Sequence, residues 1–125
     1  MSKKVLIVDD SSTALMMSQM ILTKRTSYQI VTAANGEEAI AKAVQELPNL
    51  ILMDVVMPKM NGFEACRELR KNESTAGIPV VMVTTRGEQD CVEIGFESGC
   101  NDYITKPVNA KELVTLVKSY LGEEN

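Results

Sequence analysis

Five short runs of apolar, largely β-branched residues are separated by longer stretches in which apolar side chains recur every three or four positions. The runs are Val5 to Asp9, Tyr28 to Ala33, Leu50 to Asp54, Val80 to Thr84 and Asp102 to Thr105. Between them, Ala14, Met17, Ile21 and Leu22, or Leu113, Val117, Tyr120 and Leu121, fall where one face of a helix would meet a core. Strand then helix, five times over, predicts βαβ units and a parallel sheet covered on both faces. Ser11 or Ser12 can cap the first helix, Asn35-Gly36 turns into the second, Asn61-Gly62 into the third, and Pro107-Val108-Asn109 into the last. A fourth helix is expected from about Glu88 to Ser98, softened by Gly95, which costs ~1 kcal/mol relative to Ala inside a helix.

In such a sheet, ligands gather outside the carboxyl ends of the strands. Asp9-Asp10 ends the first strand, Asp54 the third and Thr84-Thr85 the fourth, and Lys106 follows the fifth. Ordinary surface charges would scatter over both ends of the sheet, so this clustering argues for a site. Each carboxylate alone reads equally well as a solvated strand terminus; jointly that reading is poor.

Composition narrows the chemistry. With 125 residues, 45% hydrophobic and 24% charged, and no Pro/Gly/Ser-rich linker, the chain is expected to form one domain with one adequate core. Its apolar runs fall far short of the ~20 residues of a membrane span, and the start of the chain carries no signal-peptide pattern, so a cytoplasmic location is expected. Cys66, Cys91 and Cys100 lack paired spacing and read as small, partly buried hydrophobes rather than disulfide or zinc ligands. The absence of histidine removes Ser-His-Asp, Cys-His and HExxH chemistry, as well as any phosphohistidine on this chain. A net charge of −4 with scattered basic residues leaves no footprint for nucleic acid.

Carboxylates, lysine and hydroxyls remain. Three carboxylates at one edge repel one another unless a cation holds them, and an all-oxygen group suits Mg²⁺, with Mn²⁺ able to substitute. Beside such an ion Asp54 could act as a nucleophile toward a phosphoryl group, with Lys106 pairing its oxygens and the Thr84 hydroxyl hydrogen-bonding it. A threonine at a strand end usually reflects β-propensity, so Thr84 gains weight only from its neighbours.

Val8-Asp9-Asp10-Ser11, the stretch from Met53 through Asp54 and Pro58 to Gly62, Val83-Thr84 and Thr105-Lys106-Pro107 resemble the CheY-like receiver domain of two-component response regulators. The match covers nearly the whole chain. It implies a flavodoxin-like (βα)5 three-layer α/β sandwich with a parallel sheet of order 2-1-3-4-5. It makes Asp54 the phosphoacceptor and assigns Mg²⁺ to Asp10 and Asp54 directly, to Asp9 through water and to the backbone carbonyl of Val56. It also implies a cis Lys106-Pro107 bond, Thr84 and Tyr103 as the switch pair, and a phosphohistidine donor on a sensor histidine kinase or phosphotransfer protein. Val56 and Arg86 stand at the family's rate-tuning positions. Apolar Val56 has no group to orient an attacking water, so slow dephosphorylation is expected, while Thr85 narrows access to the phosphate.

Leu15, Met16 and Met20 lie off the expected core stripe of the first helix, where the family docks its kinase, and are expected kinase contacts. Val92, Phe96, Tyr103 and Leu116 form the expected output face toward a downstream protein target. The chain stops soon after its last helix, so a stand-alone, monomeric switch is expected, with phosphorylation-dependent dimerisation as an option. A phosphate relay or sink, and a receiver cut from a longer DNA-binding regulator, are the alternatives. A flavodoxin-type cofactor binder lacks its Ser/Thr-rich phosphate loop, and a haloacid-dehalogenase-type phosphatase would need a second Asp at Val56. The domain is not expected to be an enzyme beyond its own phosphorylation and hydrolysis. By analogy its setting is chemosensory or motility signalling.

Overall fold

The computed structural model describes residues 3–85, 97–106 and 108–122. Five strands, β1 (Lys4–Val8), β2 (Gln29–Ala33), β3 (Leu50–Asp54), β4 (Val80–Thr85) and β5 (Asp102–Lys106), form one parallel sheet of order β2-β1-β3-β4-β5. The described helices are α1 (Ser12–Arg25), α2 (Gly36–Glu46), α3 (Gly62–Lys71) and α4 (Ala110–Leu121), the last in the chain. This is the expected flavodoxin-like α/β fold. The helix expected over 88–98 falls almost wholly outside the described residues, as do Arg86, Cys91, Val92, Gly95, Phe96 and Pro107.

β3 is buried at every position, and β1 at every position but its first. That is the physical reason both read as unbroken apolar runs rather than alternating ones. Residues of one parity, such as Leu6, Val8, Ile51 and Met53, pack with Phe63, Cys66 and Leu69 under α2 and α3. Their neighbours of the other parity, Val5, Ile7, Leu50 and Leu52, pack with Leu22, Leu113 and Val117 under α1 and α4. Cys66 and Cys100 are buried free thiols whose pKa values burial pushes up, Cys100 to about 11, as expected of cysteines that serve as hydrophobes.

The caps are those the turns announced. Ser11, Asn35, Asn61 and Asn109 each accept a backbone N–H three residues on, and Asn61 completes a capping box with Glu64. α1 departs from expectation. Met17, read as core, is 58% exposed, whereas Leu15, read as surface, is half-buried against the α1/α4 side of the core. Apolar residues occur around the whole circumference of this helix, so spacing alone could not choose the buried stripe; packing selects Leu15, Ile21 and Leu22. No described helix is long and apolar enough to cross a membrane.

Candidate functional site

The polar strand ends converge on one edge of the sheet. Asp9 lies one residue past β1, yet its N–H still donates to the Ala33 carbonyl at 3.2 Å, so the chain follows β2 to that point. Its Oδ1 accepts the Ser11 N–H at 2.9 Å, and the Ser11 hydroxyl accepts the Ala14 N–H at 3.2 Å. The start of α1 thus clamps this carboxylate in place. Asp54 closes β3 and is 6% exposed. Lys106 closes β5, paired with Thr85 of β4, and Thr84, 3% exposed, stands opposite Thr105.

Lys106 ties the carboxylates together. Its Nζ is 3.1 Å from Asp9 Oδ2 and 3.3 Å from Asp54 Oδ1. Among the described residues, Asp9, Asp10 and Asp54 form a group that could hold a metal ion, offering carboxylate oxygens that all lie within 4.8 Å of one another. Burial, and then the Asp9 charge, push the Asp54 carboxyl up to about 6 against the opposing pull of Lys106. Burial works to lower the Lys106 pKa, but the hydrogen bond to Asp9 and the charges of Asp54 and Asp9 outweigh it and hold the ammonium above its usual value. Three carboxylates against one ammonium leave a negative excess. Hard oxygen donors with such an excess fit a divalent cation of the Mg²⁺ kind, so the residues present suit the metal implied by the sequence.

The loop after Asp54 is folded back tightly. Val55 N–H donates to Val83 O at 3.2 Å, and Gly62 N–H donates to Val55 O at 2.9 Å. A Cβ at Gly62 would collide with the Asp54 carbonyl oxygen, so only glycine lets α3 start against the acceptor's backbone. The sequence reading treated Asn61-Gly62 as a helix start and missed this contact, since only the tertiary approach reveals it.

The other expected residues are placed as follows. Val56 is 63% exposed beside Asp54. Tyr103 lies within β5 with its side chain 41% exposed. Met16 and Met20 are exposed on α1, whereas half-buried Leu15 offers a partner less than was expected. Leu116 is partly buried, packed against the α1/α4 side of the core. Arg86, Val92 and Phe96 lie outside the described residues, as does the side chain of Thr85.

The response regulator receiver domain family matches residues 5–118 of the chain. Protein PilH of Pseudomonas aeruginosa is 41% identical over 119 residues, which cover 95% of this chain and 98% of that protein. The chain spans about half the length of several curated relatives it matches, transcriptional regulators among them. The chemotaxis protein CheY4 of Vibrio cholerae superposes with a TM-score of 0.90 at 32% identity, covering 96% of this chain and 99% of that one. The receiver domain of the Pseudomonas aeruginosa sensor histidine kinase PA1611, with a magnesium ion coordinated in its active-site cleft, gives 0.89 at 27% identity over 98% of this chain and 100% of that one. With its strand order, its acidic edge and a match along nearly its whole length, the chain belongs to the response regulator receiver domain family.

Proposed function

We propose that this chain is a phosphorylation-controlled switch in which Asp54 accepts a phosphoryl group from a phosphohistidine on a separate kinase or phosphotransfer protein. The observation that carries this reading is the single lysine bridging two of the three clustered carboxylates, with Lys106 Nζ 3.1 Å from Asp9 and 3.3 Å from Asp54. An Asp54 carboxylate oxygen attacks phosphorus. The P–N bond breaks, and the imidazole leaves with the electron pair and takes a proton from water. Lys106 then exchanges part of its contact with the carboxylates for the phosphoryl oxygens, and the Thr84 hydroxyl donates to another. Asp9, Asp10, Asp54 and the Val56 carbonyl would hold Mg²⁺, or Mn²⁺ in its place, whose charge neutralises the phosphoryl oxygens when it is bound.

The readout follows from Thr84 and Tyr103. Thr84 is buried at the site while the Tyr103 ring is partly exposed on β5, so a hydroxyl drawn toward phosphate leaves room for the ring to turn inward and change the surface a target meets. The chain turns over no diffusible substrate; it catalyses only its own phosphorylation and hydrolysis. Likeness to a chemotaxis protein supports a cytoplasmic, chemosensory setting, with a protein as target. The longer transcriptional relatives favour a second reading, the receiver of a DNA-binding regulator, which the length of the native reading frame decides.

Intact mass after treatment with acetyl phosphate or phosphoramidate, with and without Mg²⁺, tests the chemistry beside an Asp54→Asn control. One Mg²⁺-dependent phosphate adduct, absent from the control, is expected. Failure to form it would leave a phosphorylation-independent binding module.

A further inference from the structure

Gly36 opens α2, yet its backbone has no need of glycine: among the described residues, the glycines with positive φ are Gly99 and Gly122. What Gly36 supplies is space. A Cβ there would stand 2.9 Å from both Cγ and Sδ of Met60 and 3.0 Å from its Cβ. Met60 therefore lies across the bare backbone at the start of α2, and it also packs against the α2/α3 side of the core.

Met60 ends a strained turn. Lys59 has a φ of 69°, and across it the Met60 N–H donates to the Pro58 carbonyl at 2.8 Å. A three-residue turn with positive φ at its centre is the rarer, strained form, and such strain persists only where the surroundings fix it. Pro58 and Lys59 are exposed; Met60 is the turn residue that is half-buried. The turn belongs to segment 55–62, which leaves Asp54 and returns to it through the Gly62 N–H on the Val55 carbonyl. The cleft beside it is lined by Gly36, Lys59 and Met60 together with Asp10, one of the three clustered carboxylates.

We propose that Met60 is a positioning residue for the acceptor loop: seated on Gly36, it holds the strained turn and so fixes segment 55–62 beside Asp54. Asp54 and the Val56 carbonyl lead into that segment. A segment free to relax would present them to a cation for a smaller fraction of the time, and affinity falls by that fraction. The consequence for the cation rests on the metal binding proposed above; the fixing of the segment does not.

Two variants open the contact from opposite sides, which guards against one failing to fold. Met60→Ala removes the side chain, and Gly36→Ala pushes it away. Amide hydrogen exchange of the metal-free protein reads the segment. In both variants the Gly62 N–H is expected to exchange about tenfold faster relative to the Leu52 N–H of β3, whose exchange reports global unfolding. Titration with Mg²⁺, followed by the amide signals of Asp10 and Ser11, is expected to show about tenfold weaker binding. Met60→Leu still covers Gly36 and should stay within about twofold of wild type in both measurements. The double variant should bind Mg²⁺ no more weakly than Met60→Ala alone, because the added methyl then has no Met60 side chain to displace. Gly62 exchange that rises only in step with Leu52, unchanged Mg²⁺ affinity in both folded variants, or additive losses in the double variant would each overturn the proposal. A wild type that binds no Mg²⁺ would instead overturn the metal reading, and Gly62 exchange would still decide whether Met60 fixes the segment.

Discussion

The Arg70 guanidinium donates to Asn101 Oδ1 at 2.9 Å, and the same oxygen accepts the Val80 N–H at 2.9 Å. Arg70 also donates to the carbonyls of Ile78 at 2.7 Å, Gly99 at 2.9 Å and Ala76 at 3.1 Å. One side chain at the end of α3 therefore joins the entries to β4 and β5, the strands that carry Thr84 and Lys106 to the opposite edge. Arg70→Lys keeps the charge but loses the planar fork, stranding several acceptors, and is expected to cost about 2–3 kcal/mol. Urea unfolding reads this directly, and a loss under half a kcal/mol would show that water replaces the fork.

The Asp54 carboxyl, pushed up to about 6 by burial and then by Asp9, makes the metal-free fold sensitive to pH. Because the folded value lies above the unfolded one, the favourable contribution is complete below about pH 4 and is lost as pH rises through about 6. Without metal, Asp54→Asn should exceed the wild type in stability above pH 6 by about 1–3 kcal/mol, and the gap should shrink toward pH 4. Thermal unfolding across pH 4–7.5 in chelator checks this. A gap that grows on acidification would contradict it.

Gly62→Ala drives a methyl into the Asp54 carbonyl oxygen. A loss of about 1–3 kcal/mol is expected, as for other overpacked sites, together with weaker Mg²⁺ binding because the acceptor strand must shift. Calorimetric titration with Mg²⁺ on the folded variant separates the two effects; unchanged affinity would mean that α3 yields instead.

Leu47 caps α2 with φ 46° and ψ 61°, left-handed values for a residue whose side chain is 54% exposed. Glycine adopts that conformation freely, and little burial is lost. Leu47→Gly should stabilise by about 0.5–1 kcal/mol after the extra unfolded-state entropy of glycine is counted. A lower melting temperature would show that Leu47 packing outweighs the strain.

Val56 stands 63% exposed beside Asp54 and offers attacking water no polar side chain. Val56→Asn is expected to speed loss of the phosphoryl group several-fold, measured as the decay of the phosphorylated mass after kinase and donor are removed. An unchanged half-life would place control of hydrolysis elsewhere.

The periodicity of the chain determined much on its own. Unbroken apolar runs at β1 and β3 announced strands covered on both faces, and Asn35, Asn61 and Asn109 marked helix starts because an amide oxygen there satisfies an orphan N–H. The polar strand ends could be assigned to one edge because parallel strands all point the same way. Tertiary structure decided what pattern could not. It turned Leu15 inward and Met17 outward on a helix apolar all round, placed Lys106 between Asp9 and Asp54, and brought the Gly62 backbone against Asp54. These are contacts between residues far apart along the chain, set by strand order and close packing, whereas periodicity records only which side chains leave water.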